Sequence, residues 1–120
     1  IEKGKLSIIE NNKELIVDIK RVYYLYDVPS GESRGGHAHK ELQQIIIAVN
    51  GSFSLKLSDG SNSKSVLLNK PNEGLVIVPG IWRELSDFSG GAVCLVLASE
   101  VYNEEDYIRD YQEFKSKKKK

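Results

Sequence analysis

The chain has little of several things that define common protein classes, and each shortage excludes one of them. A single cysteine, Cys94, among 120 residues rules out a disulfide within one chain, and its apolar neighbours predict a buried, inert thiol. No apolar run approaches the roughly 18 residues of a membrane span, and no signal-peptide pattern is seen, which predicts a cytoplasmic protein without a membrane partner. Seventeen basic residues balance seventeen acidic ones, so no net charge points to nucleic acid.

What remains is the composition of an ordinary soluble protein, with 40% hydrophobic and 28% charged residues. The length suits one hydrophobic core and not two. We therefore expect a single domain over residues 1–114. The lysine-rich end, residues 115–120, is predicted to be a disordered basic tail.

Apolar residues recur with a period near two, which predicts strands. These runs cover residues 5–10, 16–26, 43–49, 52–57, 65–68, 74–78 and 92–97. Turn signals separate them, and Asn50-Gly51 between two such runs is typical of a hairpin because both residues tolerate positive φ. Alternation places Phe53, Leu55 and Leu57 on one face. Short strands at even spacing predict an all-β sandwich or small barrel.

Only the end of the chain changes character. Residues 103–114 open with a capping residue and acids, and Tyr107, Tyr111 and Phe114 follow at helical spacing. This predicts one C-terminal helix packed on the barrel.

The two histidines of the chain, His37 and His39, stand one residue apart directly after Gly35 and Gly36. In an extended segment such residues project from the same face, so both rings can enter one cavity. Glycines there allow a sharp bend or the close approach of a ligand. Two half-exposed histidines without a role are the plainer alternative. Their shared face, beside Arg34, favours a functional pair.

The spacing from Gly31 to Gly51, G-x5-H-x-H-x4-Q-x6-G, resembles the first motif of the cupin superfamily. In metal-binding cupins, two histidines and a glutamate of this motif supply three ligands and a second motif supplies a fourth histidine. Here Gln44 replaces the glutamate and Arg83 replaces the last histidine. A guanidinium has no lone pair to give, and an amide oxygen is a poor ligand for iron or zinc. We therefore expect no metal cofactor.

Longer stretches resemble one branch of cupins, the WxcM-like family of nucleotide-sugar 3,4-ketoisomerases. They are I-K-R-V-Y-Y-L-Y-D, S-R-G-G-H-A-H-K-E-L-Q-Q, P-G-I-W-R-E-L-S-D-F-S and V-L-A-S-E-V-Y-N-E-E-D-Y-I-R-D-Y, and the similarity spans nearly the whole chain. The resemblance implies a jelly-roll fold, a homodimer that exchanges N-terminal strands, and no metal. It also implies a dTDP-linked keto-deoxysugar as substrate, on the way to amino-deoxysugars of surface polysaccharides.

The implied reaction moves a ketone from carbon-4 to carbon-3 of dTDP-4-keto-6-deoxyglucose through an enediolate. Neutral imidazole is a suitable base for a carbon acid beside a ketone. We expect His39 to carry the carbon-bound proton and His37 to handle the oxygen-bound proton, and the order of these roles is open. Tyr23, which alternation places on the same face as Arg21, is the third candidate catalytic residue, as a donor to the oxyanion.

The remaining candidates bind substrate. Arg34 and Arg21 are expected to hold the diphosphate through their guanidinium groups, although a surface salt bridge is the commoner role of arginine. Gln44 belongs to this group by its place in the motif. Trp82 could stack on the nucleotide base or fill the core. Arg83 stands where family members commonly carry histidine, and it could supply a further cation to the phosphates.

Two other functions stay open. A 3,5-epimerase acting on the same sugar nucleotide would also use a histidine base in a jelly roll. A non-catalytic module that binds sugar nucleotides would need the cavity without the chemistry. A metal-dependent oxygenase is disfavoured by Gln44 and Arg83.

Overall fold

The structure, a computed structural model, describes residues 5–7, 18–29 and 31–118. In chain order its strands are β1 (Arg21–Leu25), β2 (Arg34–His39), β3 (Gln44–Asn50), β4 (Phe53–Ser58), β5 (Ser63–Leu68), β6 (Gly74–Ile77), β7 (Trp82–Ser86), β8 (Val93–Ala98) and β9 (Tyr107–Ile108), followed by helix α1 (Tyr111–Lys118). One antiparallel sheet has the order β1-β8-β3-β6 and the other the order β5-β4-β7-β2-β9. The predicted all-β architecture with a C-terminal helix is confirmed.

The core lies between the two sheets, where alternate residues of their strands meet. Phe53 and Leu55 are fully buried on one face of β4 and Leu57 packs against the same cluster, as alternation predicts. Cys94 is also fully buried, and burial raises the pKa of its thiol to about 12. The predicted burial of this thiol is therefore confirmed, and its inertness stays a prediction. Within the described residues, no helix is long and apolar enough to cross a membrane.

The turn at Asn50-Gly51 differs from the prediction. Gly51 has a positive φ of 66°, as expected, but β3 and β4 do not pair, because they belong to different sheets. The Asn50 side chain donates a hydrogen bond to the carbonyl of Gly91 at 2.7 Å, which ties this turn to the loop before β8. The predicted hairpin is wrong, since local turn chemistry does not specify which strand each neighbour pairs with. The turn at Asp59-Gly60 does close a hairpin, between β4 and β5.

The C-terminal helix begins later than predicted. Residues Glu104–Asp106 form a single 3-10 turn, β9 follows, and α1 occupies Tyr111–Lys118. The helix prediction over 103–114 is thus wrong in its first half, because β9 pairs with β2. Residues 115–118 form the second half of α1, so the predicted disordered tail is corrected for them. Residues 119 and 120 lie outside the described residues.

The first predicted strands are only partly tested. Residues 5–7 are described and form no strand, while 8–17 lie outside the described residues. The run predicted over 16–26 contains β1, which is shorter at both ends. The alternation of apolar residues did not predict β2, β7 or β9, because polar residues, glycines and short length hide the alternation in them.

Candidate active site

A cavity of about 460 Å³ opens between the two sheets, and strands from both supply its walls. Its lining residues are Arg21, Tyr23, Leu25, Arg34, Gly35, His37, Gln44, Ile46, Arg83, Leu85, Val96, Tyr107 and Arg109. Six of the eight residues predicted for the site are among them: Arg21, Tyr23, Arg34, His37, Gln44 and Arg83. The other two, His39 and Trp82, lie elsewhere.

Strand alternation brings Arg21 and Tyr23 to the cavity from β1. Both line it, whereas Val22 between them and Tyr24 after them are 55% and 60% exposed on the opposite face. On β2 the pairing with β7 shifts register between Arg34 and His37, and Gly35 in this irregularity has a φ of 84°. A Cβ on Gly35 would lie 2.9 Å from Cδ1 of Leu85, so a side chain there would displace the Leu85 side chain in addition to straining the backbone.

His37 lines the cavity and has one ring nitrogen without a hydrogen-bond partner among the described residues. The ring is 8% exposed, the backbone carbonyl of Gly35 accepts a hydrogen bond from it, and its buried Nε2 has no partner among the described residues. Since a carbonyl can only accept, the other nitrogen, Nδ1, carries the proton. Burial first, and then the charge of Arg83, lowers the pKa of His37 to about 3. The ring is therefore neutral at pH 7, with the lone pair on Nε2.

His39 lies beside His37 but is completely buried. The two rings are 4.8 Å apart between centroids and nearly perpendicular. His39 contributes to the wall of a separate cavity of about 240 Å³ next to α1, and not to that of the larger one. Its Nε2 also has no partner among the described residues, and burial lowers its pKa to about 4. The two imidazoles thus lie in contact, as predicted, but only His37 reaches the lining of the large cavity.

Asp106 orients His39, and the sequence analysis missed this residue. Its Oδ2 accepts a hydrogen bond from Nδ1 of His39 at 3.0 Å, and its Oδ1 accepts one from the backbone N–H of Glu41 at 2.8 Å. Because a carboxylate only accepts, Nδ1 of His39 holds a proton and Nε2 is left as the basic nitrogen. Sequence pattern gave no signal for the contact, since 67 residues separate the partners and the acids at 104–106 read as a helix start.

Tyr107 was also missed, because it was placed on the predicted helix. In β9 it pairs with His39, and its ring lies 4.3 Å from the His39 ring and 5.1 Å from that of His37. Its hydroxyl accepts a long hydrogen bond of 3.4 Å from Nη2 of Arg21. The aromatic ring therefore forms one wall of the histidine pair.

Arg83, Gln44 and Tyr23 form a hydrogen-bonded chain from the core to the cavity. Nη1 of Arg83 donates to Oε1 of Gln44 at 2.6 Å, and Nε2 of Gln44 donates to the hydroxyl oxygen of Tyr23 at 3.0 Å. Arg83 is 1% exposed, and burial lowers its pKa to about 10, so its guanidinium remains charged at neutral pH. Burial also raises the pKa of Tyr23, which keeps the phenol protonated.

Every charged residue that lines the large cavity is an arginine: Arg21, Arg34, Arg83 and Arg109. Arg109, a further residue that the sequence analysis missed, stacks 4.2 Å over the ring of Tyr107. Its guanidinium also forms a two-pronged ion pair with Glu104, at 2.7 and 2.9 Å. Because the lining contains no carboxylate, the cavity carries a positive potential suited to an anionic ligand.

Trp82 packs in the core. The centroid of its ring lies 5.2 Å from that of Tyr111 and 5.8 Å from that of Phe114, both in α1. Its Nε1 donates a hydrogen bond to Oε2 of Glu84 at 2.9 Å. Since it is 5% exposed and does not line the large cavity, the structure places it in the core role and not in the predicted substrate contact.

The donor set at the cavity suits a metal poorly. No cluster of three or more histidine, cysteine, aspartate or glutamate side chains with metal-binding geometry occurs within the described ranges. The single side-chain oxygen of Gln44 faces Arg83, which leaves two imidazole nitrogens beside a fixed cation. That the protein works without metal stays a prediction.

Comparison with known proteins places this architecture among sugar-modifying enzymes. The family model described as FdtA, WxcM-like, C-terminal, matches residues 1–119. The TDP-4-oxo-6-deoxy-alpha-D-glucose-3,4-oxoisomerase of Aneurinibacillus thermoaerophilus is 46% identical over 113 residues, which cover 94% of this chain and 81% of that protein.

Two solved structures are similar to this chain in fold. A 3,4-ketoisomerase from Helicobacter canadensis is 50% identical with a TM-score of 0.96, and the match covers 100% of this chain and 90% of that one. QdtA, a sugar 3,4-ketoisomerase from Thermoanaerobacterium thermosaccharolyticum solved in complex with TDP, is 44% identical with a TM-score of 0.97. That match covers 99% of this chain and 87% of the other.

Proposed function

Because the chain belongs to the WxcM-like family of sugar 3,4-ketoisomerases, we propose that it moves the keto group of dTDP-4-keto-6-deoxyglucose from carbon-4 to carbon-3. The observation that carries the proposal is the pair of neutral histidines in contact beside a cavity whose charged lining residues are all arginines. Such a site can bind a nucleotide diphosphate and offers a base to the sugar attached to it.

The diphosphate is expected to bind to the guanidinium groups of the lining. Arg21, Arg34 and Arg109 each contribute one to the cavity, and guanidinium forks match phosphate oxygens in geometry. The complex of QdtA with TDP supports a TDP-sugar as the ligand. Binding there would place the hexose next to the histidine pair.

The reaction then requires two proton movements. The base removes the hydrogen from carbon-3 as a proton, the electron pair of that bond forms the carbon-3 to carbon-4 double bond of an enediolate, and the carbonyl electrons of carbon-4 move to O4. The hydroxyl proton then passes from O3 to O4, the electrons left on O3 form the new carbonyl at carbon-3, and the electron pair of the double bond takes a proton at carbon-4. The Tyr23 hydroxyl, held at the cavity wall by Gln44, can donate to the developing oxyanion.

We assign the carbon-bound proton to His39 and the oxygen-bound proton to His37. Asp106 favours this order, because its carboxylate stabilises the imidazolium that His39 becomes on accepting a proton. His37 lies 4.8 Å away and lines the cavity, where it can serve the hydroxyl groups. Because His39 is completely buried, the sugar must come into contact with a ring that solvent does not reach.

Proton NMR of the keto sugar, incubated with the protein in deuterated water, tests the proposal. We expect the ketone to appear at carbon-3, with the hydrogen at carbon-4 partly replaced by deuterium. Inversion at carbon-5 with the ketone in place would identify a 3,5-epimerase instead. Binding of TDP without any change in the sugar would identify a non-catalytic module.

Assembly and pathway belong to the same proposal. We infer a homodimer that exchanges N-terminal strands, and a role in deoxy-amino-sugar synthesis for surface polysaccharide. Residues 1–4 and 8–17 of this N-terminal part lie outside the described residues. Light scattering on the purified protein is expected to give a mass of twice the 13.5 kDa chain, and a mass of one chain would refute the dimer.

A further inference from the structure

The guanidinium of Arg83 donates its hydrogen bonds to acceptors that carry no charge. Nε and Nη2 of Arg83 donate to the carbonyl of Ile81 at 3.2 and 3.0 Å, and Nη1 donates to Oε1 of Gln44. No carboxylate within the described parts of the chain forms an ion pair with Arg83. The guanidinium therefore keeps its full positive charge next to Gln44.

Arg83 leaves the Gln44 amide only one possible orientation. A guanidinium offers hydrogens and no lone pair, so the atom that faces it at 2.6 Å must be the carbonyl oxygen Oε1. The amide nitrogen Nε2 is then the atom that lies 3.0 Å from the hydroxyl oxygen of Tyr23. An amide nitrogen cannot accept a hydrogen bond, so it donates, and the Tyr23 oxygen accepts.

The Tyr23 hydroxyl proton is consequently left for another acceptor. Tyr23 lines the cavity, and Gln44 is the partner of its hydroxyl within the part of the chain that the structure describes. A ligand oxygen in the cavity is the natural acceptor for that proton. The charge of Arg83, passed on through the polarised amide, makes the hydroxyl a stronger donor.

We propose that Gln44 is a positioning residue which, locked by Arg83, keeps the Tyr23 hydroxyl as a donor aimed at the sugar oxygen that becomes negative in the enediolate. The inference rests on the proposed ketoisomerase function. It assigns Gln44 a role through Tyr23 and does not require contact between Gln44 and the substrate. Donors fixed in advance toward developing charge are the most effective form of oxyanion stabilisation.

The proposal depends on an amide at position 44 and not merely on its shape. A glutamate there would have the same size but two accepting oxygens, one for Arg83 and one for Tyr23. The Tyr23 proton would then turn away from the cavity and toward the carboxylate. Gln44→Glu therefore reverses the direction of one hydrogen bond while conserving the packing volume.

The first experiment is a kinetic double-mutant cycle with Gln44→Glu, Tyr23→Phe and the combined variant. All assays contain a chelator, because glutamate at this position restores a cupin metal-ligand pattern. We expect Gln44→Glu to lower kcat at least about tenfold, with KM and TDP affinity within about threefold of the parent. In the Tyr23→Phe background the same change should cost less than about twofold. Equal losses in both backgrounds would overturn the proposal.

A charge control accompanies the cycle. Gln112→Glu places the same substitution on the exposed side of α1, away from the cavity, and should leave kcat unchanged. A loss of kcat in this variant equal to that of Gln44→Glu would show a general effect of added charge and would overturn the proposal.

The second experiment needs no turnover. In protein labelled with 13C at tyrosine Cζ, the Tyr23 signal is identified by its loss in Tyr23→Phe, and its titration midpoint is followed. The midpoint should rise in Gln44→Glu, because the phenol donates to a carboxylate. It should also rise in Gln44→Leu, which removes the donor to the phenolate and serves if the glutamate variant does not fold. Midpoints at or below that of the parent would overturn the proposal.

The two experiments separate the inference from the function on which it rests. If the parent protein moves no ketone but the Tyr23 midpoint rises as expected, the proposed function fails while the control of Tyr23 by Gln44 stands. If the parent is active and the midpoint does not rise, the inference alone is overturned.

Discussion

At the scale of single residues, the hydrogen-bond acceptors next to the two histidines decide which ring nitrogen is left unprotonated. Asp106 fixes the proton of His39 on Nδ1, and the carbonyl of Gly35 does the same for His37. Each ring is therefore neutral, with an unpartnered Nε2. Had either ring carried its proton on Nε2 instead, the lone pair on Nδ1 would face the Asp106 carboxylate in His39 and the Gly35 carbonyl in His37.

Replacement of His39 by asparagine is expected to lower kcat at least about a hundredfold, because it removes a general base. His37→Asn should also lower kcat, but it should leave the exchange of the carbon-3 hydrogen with deuterated solvent detectable if His37 handles only the oxygen-bound proton. Rapid-quench NMR of both variants measures this. Exchange that persists in His39→Asn and disappears in His37→Asn would reverse the assigned roles.

Asp106→Asn is expected to lower kcat by about tenfold to a hundredfold with little change in TDP affinity. An amide in place of the carboxylate no longer stabilises the imidazolium and can hold His39 in the wrong tautomer. Glu105→Gln is the matched control, since this neighbouring acid is exposed. Steady-state kinetics and isothermal titration with TDP distinguish the two variants, and equal behaviour would contradict the role of Asp106.

Removal of divalent metal should leave turnover unchanged. Arg83 occupies the place of a ligand in metal-binding cupins, and the only side-chain oxygen of Gln44 is already engaged by it. Dialysis against a chelator, followed by activity assays and elemental analysis, makes the measurement. One equivalent of iron or zinc that restores lost activity would contradict the metal-free mechanism.

At the scale of secondary-structure elements, α1 packs against β2 and β9, the two strands that carry the histidines and Tyr107. Its Phe114 is 1% exposed and packs with Trp82, Ala38 and Ile108 in one cluster. Ala38 stands between the two histidines in β2, and Ile108 follows Tyr107 in β9. The helix therefore supports the backbone from which the two histidine rings project.

Phe114→Ala is expected to lower the free energy of unfolding by about 3–5 kcal/mol, the usual cost of truncating a buried phenylalanine. Its effect on kcat should appear together with this loss, because the packing under β2 loosens. Gln112→Ala, on the exposed side of the same helix, should change stability by less than about 0.5 kcal/mol. Urea unfolding of both variants provides the comparison. A small loss for Phe114→Ala would mean that α1 is dispensable for the core.

At the scale of the whole molecule, the fold places basic and acidic side chains in different regions, although their numbers are equal. Four of its arginines line one cavity that contains no carboxylate, while acidic partners such as Glu104 lie outside it. The net charge of zero therefore hides a local positive field. Burial first, and then this positive field, lowers the pKa values of both histidines.

The stability of the protein should consequently fall as the pH drops below 6.5. The pKa values of about 3 for His37 and about 4 for His39 lie below the ordinary 6.5, so the unfolded chain binds more protons in this range. Each histidine should lower the free energy of unfolding by about 1.3 kcal/mol between pH 7.5 and 5.5, given 1.36 kcal/mol per pH unit. Urea unfolding at both pH values measures the loss. His37→Asn is the control, since it should reduce the dependence by about half.

Much of this site could be predicted from residue type and spacing, but its connections could not. Alternation places Tyr23 on the same face as Arg21. The two glycines before His37 indicate a bend in the chain or the close approach of a ligand. Asp106, Tyr107 and Arg109 were missed because their local sequence is typical of a helix start, and the pairing of β9 with β2 overrides it. A strand of two residues leaves no periodic signal to detect.

The sequence by itself determined the all-β class, the buried thiol and most members of the site, because side-chain alternation and hydrogen-bonding capacity are properties of the residues themselves. Only the tertiary structure decided that His37 lines the cavity while His39 is held by Asp106, and that Trp82 packs under α1. It also decided that Asn50-Gly51 joins two sheets. Contacts of this kind depend on which strands pair across long sequence separations, and the free energy of that pairing belongs to the whole core.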